Sequence, residues 1–345
     1  MLAAVLEGPN RLVVREVPTP HVDDDTLLVR VRACAICGSD IRILRHGSPR
    51  VRPPAIPGHE IAGDVVEVGR NVQSFRPGDR VAMAGDIPCG VCSFCRDGHG
   101  NNCQTNLALG YQFPGGFAEY LLAPSLLLRY GPIHPIPEGL SYAEAALAEP
   151  LACAINGVEL SGIRLGEAVV VIGTGPIGCM IIALARAMGA APIIAVQRSR
   201  PRLQMALDMG ADVAICSGEE DAISRVLAET SGEGADVVMV ATGSPEAQRD
   251  ALRMVRARGR VNFFGGLPAG TPPLPVDANL VHYKECYIHG AHGSVPRQHR
   301  LALALLGRRR IDVRPLISHR LPLARINEAF ELAEAHAGMK VIVEP

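Results

Sequence analysis

The sequence predicts an α/β protein in which a doubly wound parallel sheet is joined to a second, β-rich domain. From about residue 151 to 290, short apolar runs alternate with helical stretches, which is typical of βα units around a parallel sheet. Residues 1 to about 80 instead show short runs with period-2 alternation, separated by Gly and Pro, which favours a β-rich domain. The chain of 345 residues exceeds one ordinary hydrophobic core, so two domains are expected.

The elements of the βα segment follow from its apolar runs. Strands are predicted over 169–172, 193–196, 213–215, 237–240 and 260–264, with helices between them. After residue 290 the pattern predicts a helix over 298–306, strands that contain proline, a helix over 324–336 and a strand over 340–343. We expect this tail to return to the β-rich domain. The predicted domains are therefore 1–150 together with 291–345, and 151–290.

A glycine-rich turn follows the first strand of the βα segment. The run over 168–172 leads into Gly173-Thr174-Gly175-Pro176-Ile177-Gly178, and a helical stretch follows, which is the setting of a dinucleotide site. Gly173 would permit the tight turn, Gly175 would let the backbone approach a pyrophosphate, and Gly178 would let helix and strand pack closely. We predict that the cofactor is bound by Gly173, Gly175, Pro176, Ile177 and Gly178.

Four of the ten cysteines lie close together in the sequence, as Cys89, Cys92, Cys95 and Cys103. Thiolates at this spacing can enclose one tetrahedral zinc ion and leave no open position, which is typical of a structural site. Reduced surface thiols are the alternative interpretation. We expect metal or catalytic roles rather than disulfides, since the chain is large and shows no secretion signal.

A second group of metal-binding residue types is separate from these cysteines. Cys37 opens the segment Cys37-Gly38-Ser39-Asp40, and His59 and Glu60 follow, with His59 placed 22 residues after Cys37. A thiolate, an imidazole and a carboxylate could hold a second zinc ion and leave room for water or substrate. Single cysteines and histidines more often fill the core or the surface, so the neighbouring residues decide the interpretation.

The segment around His59 resembles a known family signature. It runs Gly58-His59-Glu60-Ile61-Ala62-Gly63 and continues to Gly69 and Val72. This is similar to G-H-E-x2-G-x5-G-x2-V, the zinc signature of the medium-chain dehydrogenase/reductase superfamily. The four cysteines and the glycine turn follow in that family's order, so the resemblance covers essentially the whole chain. It implies a GroES-like catalytic domain and a Rossmann domain, and it is strongest to the sorbitol and other polyol dehydrogenases.

The resemblance assigns residues to a catalytic zinc site. Cys37, His59 and Glu60 fall on the zinc-ligand positions of the family. Glu149, in Ala148-Glu149-Pro150-Leu151, falls on a further position that binds the zinc directly or holds its water. This form of the segment is similar to the polyol and threonine dehydrogenase branch. A helix N-terminal acid without a role at the metal is the alternative for Glu149.

The resemblance also implies a route for the alcohol proton. Ser39 falls on the position of the hydroxyl that accepts this proton and passes it on through the cofactor ribose. Many relatives carry a histidine three residues later, where this chain has Arg42. An arginine cannot act as the final base at neutral pH, so Arg42 either contacts a cofactor phosphate or lies on the surface.

The end of the second predicted strand favours NADP, with NAD as the alternative. An NAD enzyme of this fold needs an acidic residue there for the ribose hydroxyls. This chain has Gln197-Arg198-Ser199-Arg200-Pro201-Arg202, which has no acid and several arginines that suit a 2′-phosphate. The stretch resembles that of NADP-using ketose reductases, which implies that Arg198 binds the phosphate and Arg202 lies over the adenine. The alternative is a solvated basic helix start, with NAD bound through Gln197. The remaining predicted cofactor contacts are Thr242, Gly265 and His292.

Together these features predict a zinc-dependent oxidoreductase with two zinc ions per chain. It would transfer a hydride between NADP(H) and a secondary alcohol or ketone of a polyol, sugar or (amino)cyclitol. The alternative substrate is the hydroxyl of L-threonine. A zinc-free quinone reductase or a structural, non-enzymatic role is disfavoured, because those superfamily members lose both sets of zinc ligands and this chain retains them.

Composition limits the partners of the protein. A formal net charge of −1 argues against nucleic acid or an anionic membrane as the main partner. No apolar run reaches the length of a membrane span. We expect a soluble, cytoplasmic protein with a small-molecule substrate, and the resemblance implies a homodimer or homotetramer joined through the Rossmann domains.

Overall fold

The computed structural model describes residues 1–268 and 270–345, which form two compact units. One unit comprises Met1–Ala152 and Gly293–Pro345, and we call it the β-rich unit. The other comprises Cys153–His292, and we call it the βα unit. Among the described residues, no helix is both long and apolar enough to cross a membrane.

The first part of the chain forms most of the β-rich unit. Its strands are β1 (Leu2–Gly8), β2 (Arg11–Glu16), β3 (Leu27–Ala35), β4 (Glu60–Val68), β5 (Arg80–Met83), β6 (Asp86–Ile87), β7 (Leu107–Ala108), β8 (Tyr120–Ala123) and β9 (Ile133–Pro135). Its helices are α1 (Gly38–His46), α2 (Ser93–Arg96), α3 (Ser125–Tyr130), α4 (Tyr142–Ala146) and α5 (Ala148–Ser161), and α5 continues into the βα unit.

The rest of the chain forms the βα unit and then returns to the β-rich unit. The strands of the βα unit are β10 (Val169–Ile172), β11 (Ile193–Gln197), β12 (Val213–Cys216), β13 (Ala235–Val240), β14 (Val255–Phe263) and β15 (Tyr287–Gly290). Its helices are α6 (Pro176–Ala187), α7 (Leu203–Asp208), α8 (Ala222–Glu229), α9 (Pro245–Met254) and α10 (Ala278–Lys284). The returning elements are α11 (Pro296–Gly307), β16 (Ile317–Pro322), α12 (Ile326–Glu334) and β17 (Lys340–Glu344).

The βα unit is built on a parallel sheet with the strand order β12-β11-β10-β13-β14-β15. β10 comes first in the chain but lies inside the sheet, so successive strands are added first on one side of it and then on the other. Every residue of β10 is buried, as expected for a parallel strand that is covered on both faces. The order reverses beside β10, and the carboxyl ends of the strands at such a point are where ligands bind.

The β-rich unit has a sheet with the order β16-β17-β3-β4-β5-β9, and β8 also pairs with β3. β3 and β4 are antiparallel, and Ala35 at the end of β3 lies opposite Glu60 at the start of β4. β17 pairs with the same end of β3, since Ile342 lies opposite Ala35. The core combines side chains from both parts of the chain, such as Phe117 and Phe330. The C-terminal strand therefore lies beside the region where His59 and Glu60 are found.

The predicted fold class, a doubly wound parallel sheet with a β-rich second part, is confirmed. Several boundaries differ from the sequence-based expectation, and two of these differences have a clear structural cause. β14 begins at Val255 rather than at residue 260, because an irregular register beside β13 lets Val255 pair with Ala235. α12 begins at Ile326, because residues 323–325 form a separate 3-10 turn before it.

Candidate active site

The four-cysteine cluster lies on the loop between β6 and β7. Cys92 precedes α2, Cys95 lies within α2, and Cys89 and Cys103 lie on either side. The Sγ atom of Cys95 lies 3.8 Å from that of Cys89 and 3.4 Å from that of Cys92. All four Sγ atoms lie within 4.8 Å of one another. Sulfurs bound to one zinc ion at about 2.3 Å are about 3.8 Å apart, so the cluster fits a tetrahedral zinc site.

Backbone amides favour thiolates in this cluster. The amide of Cys92 donates to Cys89 Sγ at 3.4 Å, and the amide of Cys89 donates to Cys103 Sγ at 3.3 Å. Hydrogen bonds from the amides of Val91 and Cys92 lower the pKa of Cys89 to about 6. Burial, and after it the neighbouring Cys92 thiol, raise the pKa of Cys95 to about 12. A bound cation would offset the free-energy cost of ionising the Cys95 thiol, because it stabilises every coordinating thiolate.

The second cluster is assembled by the pairing of β3 with β4. Because Ala35 lies opposite Glu60, Cys37 at the start of α1 comes beside His59 and Glu60. One ligand atom from each of these three residues lies within 4.8 Å of the others. His59 and Glu60 are buried, and Cys37 is half-buried. A thiolate, an imidazole and a carboxylate suit zinc, and three protein ligands leave a coordination position for water or a substrate oxygen.

Asp40 orients the imidazole of His59, a role that the sequence reasoning missed. Asp40 Oδ1 lies 3.4 Å from His59 Nδ1, and neither atom has a hydrogen-bond partner elsewhere among the described residues. Asp40 Oδ2 accepts a 3.0 Å hydrogen bond from the amide of Cys37 and so closes the first turn of α1. Burial lowers the pKa of His59, but the charge and contact of Asp40 and the contact with Cys37 raise it well above its usual value. A carboxylate on Nδ1 leaves Nε2 for a metal. The available signal was the acid three residues after Cys37, a helix-capping position.

Lys340 holds Glu60, and this contact was also missed. Lys340 Nζ donates to Glu60 Oε1 at 2.5 Å, contacts Oε2 of the same carboxylate, and donates to the carbonyl oxygen of Ile36 at 3.0 Å. Both side chains are buried. Burial lowers the pKa of Lys340, whereas the Glu60 carboxylate raises it and determines the direction of the net shift. The ammonium thus stabilises a buried negative charge beside Cys37 and His59, and it contacts both oxygens of the Glu60 carboxylate.

Ser39 and Tyr111 lie next to His59. Ser39 Oγ is 3.5 Å from His59 Nε2. The ring centroid of Tyr111 is 5.9 Å from that of His59. Burial raises the pKa of Tyr111, while His59 and a hydrogen bond with Ser39 act in the opposite direction. A serine hydroxyl in contact with the nitrogen that faces the metal position is well placed to take up a proton. Tyr111 was missed because it stands alone in a loop and matches no motif.

Two predicted residues stand apart from the ligand set. Glu149 lies in the first turn of α5, and its carboxylate is not among the atoms that lie within 4.8 Å of one another. Burial raises the pKa of Glu149 to about 7, and the charge of His59 lowers it while that of Glu60 raises it. Glu149 therefore lies within electrostatic reach of the cluster, and its role as a ligand stays a prediction. Arg42 lies on the exposed face of α1.

In the βα unit, the glycine turn connects β10 to α6. Gly173 has a φ of +95°, a conformation that favours glycine. A Cβ on Gly178 would lie 1.9 Å from the carbonyl oxygen of Gly173, so the helix approaches the strand this closely only with glycine there. Gly175 caps α6 and Pro176 is its first residue. The amides of the first helical turn, such as that of Ile177, have no partner within a helix and can bind an anion. The turn therefore suits a pyrophosphate.

Gln197 and Arg202 lie beside this turn. Gln197 ends β11, and its Oε1 accepts a 3.3 Å hydrogen bond from the amide of Thr174. The Nη1 atom of Arg202 lies 3.6 Å from the position that a Cβ on Gly175 would take. Burial lowers the pKa of Arg202. The structure thus brings the end of β11 and the glycine turn together, as a dinucleotide site requires.

The arginines after β11 differ in their partners. Arg200 forms an ion pair with Glu219, which neutralises its charge. Arg198 is exposed, and Arg202 is half-buried. Arg200 is therefore the arginine of this stretch least suited to a 2′-phosphate, and the prediction of NADP rests on Arg198 and Arg202.

The other predicted cofactor residues follow later strands of the same sheet. Thr242 follows β13, and Gly265 follows β14. A Cβ on Gly265 would lie 2.4 Å from the carbonyl oxygen of Thr242, and a Cβ on Gly173 would lie 3.0 Å from Thr242 Cβ. The turn, Thr242 and Gly265 therefore meet at one edge of the sheet. His292 follows β15 with an exposed side chain, and its carbonyl oxygen accepts a 3.1 Å hydrogen bond from Asn156 Nδ2.

Comparisons with known proteins identify the family. The family model of the alcohol dehydrogenase GroES-like domain matches residues 23–133, and that of zinc-binding dehydrogenases matches residues 176–308. The chain is 37% identical over 334 residues to an L-threonine 3-dehydrogenase of Bacillus licheniformis, which covers 95% of this chain and 94% of that protein. It is 31% identical over 346 residues to a sorbitol dehydrogenase of Halalkalibacterium halodurans, with coverage of 100% and 98%.

A solved structure agrees with these matches. A zinc-binding dehydrogenase from Sinorhizobium meliloti, bound to NADP, is 34% identical and superposes with a TM-score of 0.93. The superposition covers 100% of this chain and 99% of that chain. The family resemblance predicted from the sequence is therefore confirmed over the whole chain. This protein belongs to the zinc-dependent medium-chain dehydrogenases, and it is a dehydrogenase of the alcohol dehydrogenase type.

Proposed function

We propose that this protein oxidises a secondary alcohol of a polyol, sugar or (amino)cyclitol to a ketone, with one catalytic and one structural zinc ion and with NADP as the preferred cofactor. The observation that carries the proposal is the buried set of Cys37, His59 and Glu60, with the Ser39 hydroxyl 3.5 Å from His59 Nε2. Such a set fits a zinc ion with an open position. The four-cysteine cluster fits a closed zinc site that supports the surrounding loop.

The residues of the second cluster have different roles in the proposed reaction. A zinc ion held by Cys37, His59 and Glu60 would supply Lewis-acid chemistry that lowers the pKa of the substrate hydroxyl. Ser39 accepts the hydroxyl proton, because it is the hydroxyl group in contact with His59. Asp40 keeps the His59 ring in the orientation that leaves Nε2 toward the site.

The proton must leave by a route that does not use Arg42 as a base, because a guanidinium stays protonated at neutral pH. We propose that Ser39 holds the proton at its Oγ, and that a bound cofactor would supply the ribose hydroxyls through which the proton could continue to solvent. Glu149 is proposed to bind the metal or to hold its water, and its pKa of about 7 places its titration near neutrality. NADP⁺ would supply the acceptor for the hydride that leaves the carbinol carbon.

The preference for NADP rests on the end of β11. Gln197 occupies the position where an acidic residue would bind the ribose of NAD and repel a 2′-phosphate. Arg198 and Arg202 supply positive charge there, and the Sinorhizobium meliloti relative is bound to NADP. Thr242, Gly265 and His292 are proposed to complete the cofactor site. We expect kcat/KM to be at least about tenfold higher with NADP⁺ than with NAD⁺, and a tenfold preference for NAD⁺ would overturn this choice.

A second candidate substrate is L-threonine, because the Bacillus licheniformis relative is an L-threonine 3-dehydrogenase. The sorbitol dehydrogenase relative favours a polyol instead. The two proposals are separated by a panel of polyols, cyclitols and L-threonine, assayed with both cofactors on protein whose zinc content has been measured. We expect two zinc ions per chain and the highest kcat/KM on a polyol or cyclitol. A higher kcat/KM on L-threonine would select the second candidate, and the absence of zinc would contradict both.

Assembly into a dimer or tetramer through the βα unit is also proposed. Among the described residues, β15 is the last strand of the parallel sheet and pairs only with β14. Its side chains Tyr287 and Ile288 are 66% and 37% exposed. An unpaired sheet edge with exposed apolar side chains is a natural contact for a second copy. Light scattering of the protein and of a Tyr287→Arg variant would test this assembly.

A further inference from the structure

A cavity beside the second cluster carries unusual charge. It lies in the β-rich unit and has a volume of about 670 Å³. Its polar lining consists of Arg15, Arg50, Arg52, Tyr111 and Gln112, and the other residues that line it are apolar. Among the described residues that line it there is no aspartate or glutamate. We call it the arginine cavity. Its size is in the range of small-ligand sites, and its charge is uniformly positive.

Tyr111 connects the arginine cavity to the proposed metal site. It lines the cavity, and its ring centroid lies 5.9 Å from that of His59. On this ring the guanidinium carbon of Arg50 lies 4.6 Å from the centroid. Both distances are measured to the centroid of the Tyr111 ring. Their sum is therefore the largest separation that the Arg50 guanidinium and the His59 ring can have. The His59 ring and the Arg50 guanidinium are therefore both neighbours of the Tyr111 side chain.

Arg50 retains capacity to bind an anion. Its Nη2 donates to the carbonyl oxygen of Asn106 at 2.7 Å, but its Nε is buried with no hydrogen-bond partner among the described residues. Neither Arg50 nor Arg52 forms an ion pair with a described carboxylate, and Arg15 lies 3.9 Å from Glu7. A buried, unpaired guanidinium donor is costly unless a ligand supplies the acceptor.

Several arginines elsewhere in this unit do have carboxylate partners. Arg45 pairs with Glu334, and Arg70 pairs with Asp24. Arg50 differs from both of these, because its Nε is buried without a hydrogen-bond partner among the described residues. Planar guanidinium groups bind carboxylate and phosphate oxygens in pairs, with geometry that an ammonium does not match.

We propose that the arginine cavity binds an anionic group of the substrate while the carbinol lies at the His59 cluster. The substrate class is then a secondary alcohol that carries a carboxylate or a phosphate ester, with Arg50 as the specificity-determining residue and Arg52 as its support. This inference rests on the proposed function, since it concerns the substrate of the same site. It places the negative charge at the end of the molecule away from the carbon that is oxidised.

The test compares matched substrates that differ in charge. One pair is sorbitol and its terminal phosphate ester, and the other is L-threonine and threoninol, in which a hydroxymethyl replaces the carboxylate. In the wild-type enzyme we expect kcat/KM to favour the anionic member of one pair by about tenfold or more. The pair that shows this preference identifies the anion as a phosphate or a carboxylate.

The variants Arg50→Gln and Arg52→Gln assign the preference to the cavity. We expect Arg50→Gln to reduce the anionic-to-neutral ratio of kcat/KM by about tenfold to hundredfold, mainly through KM, and Arg52→Gln to reduce it less. Arg76→Gln is the control, because it removes the same charge from a side chain of this unit that is 87% exposed and lies outside the cavity. An equal loss for both members of each pair in Arg50→Gln, with a lower melting temperature, would mean that Arg50 is structural and would overturn the proposal.

Calorimetric titration with inorganic phosphate, in saturating NADP⁺ to occupy the cofactor arginines, gives a readout that does not depend on turnover. We expect phosphate to bind the wild type and Arg76→Gln, and to bind Arg50→Gln at least about tenfold more weakly. If Arg50→Gln does not fold, Arg52→Gln carries the same comparison. Phosphate binding without oxidation of any alcohol would contradict the proposed function but would still support the anion site. Turnover with no charge preference and no phosphate binding would contradict the anion site alone.

Discussion

The two cysteine-bearing clusters of the β-rich unit are built in opposite ways. The four-cysteine cluster uses one ligand type, and its residues lie between Cys89 and Cys103 on a single loop. The second cluster uses three ligand types from two paired strand ends. Two of its residues contact charged side chains, His59 with Asp40 and Glu60 with Lys340. A site made from one segment is complete once that loop is folded. A site made from paired strands needs partners from elsewhere in the fold.

The contacts of the ligands follow the same division. The thiols of the loop contact one another and backbone amides. In the second cluster, a side chain of opposite charge supports each of two ligands, Asp40 for His59 and Lys340 for Glu60. We infer that removal of a loop thiol lowers the free energy of unfolding. Changes in the second cluster should lower the catalytic rate in some variants and the free energy of unfolding in others. The following variants test that division, in order of decreasing expected effect.

His59→Ala is expected to have the largest effect, and on turnover. Loss of an imidazole ligand removes the Lewis acid, which contributes several kcal/mol, so kcat should fall by about four orders of magnitude. Binding of NADPH, followed by its fluorescence, should remain nearly unchanged. His21→Ala, at an exposed histidine of the same unit, is the control. Loss of cofactor binding in His59→Ala would mean that the role of this cluster has been misidentified.

Cys92→Ala should act on stability. It opens the closed site, so the protein should lose one zinc ion per chain and about 4 kcal/mol of unfolding free energy, the range reached when a structural metal is lost. Denaturant unfolding and metal content measure the two effects. Ser93→Ala, an exposed neighbour without a thiol, should leave both unchanged. A Cys92→Ala protein with an unaltered unfolding transition would erase the difference between the two clusters.

Lys340→Met should destabilise the protein by about 3–5 kcal/mol, because it leaves the buried Glu60 carboxylate without its counter-ion. The double variant Lys340→Met/Glu60→Gln removes the charge as well and should recover part of that loss. Urea unfolding of wild type, both single variants and the double variant gives the coupling free energy. A coupling near zero would show that Lys340 does not support Glu60.

Asp40→Asn should have the smallest effect of the four variants. An amide oxygen still accepts the hydrogen bond from the Cys37 amide, but the charge opposite His59 Nδ1 is lost. Zinc affinity of the second cluster should fall by about tenfold to hundredfold. Competition with a chelator, followed by metal content, should show one zinc ion released earlier than in wild type. Asp97→Asn, on the four-cysteine loop, should leave that release unchanged, and equal release from both variants would contradict the role given to Asp40.

Much of the fold could be predicted from the sequence. The alternation of apolar runs and helices indicated the parallel sheet, and the glycine spacing indicated the turn that Gly173 and Gly178 make possible. Both clusters of ligand residues were visible as well, because metal ligands are recognised by residue type and spacing. The exact start of β14 was not predictable, since it depends on an irregular register beside β13.

The residues that support the site could not be predicted from the sequence, because they come from distant segments of the chain. Lys340 lies 280 residues from Glu60, and no local pattern links them. Tyr111 and Arg50 belong to separate loops that belong to no motif, yet they stack on each other beside His59.

The sequence by itself determined which chemistry this protein can perform, because thiolate, imidazole and glycine have properties that belong to single residues. Tertiary structure alone decided which charged and buried side chains surround those groups. β3 pairs with β4 on one side and with β17 on the other, and this arrangement brings a buried lysine to Glu60. Charge and burial at a site depend on which distant segments meet there, and strand pairing across the whole chain settles that.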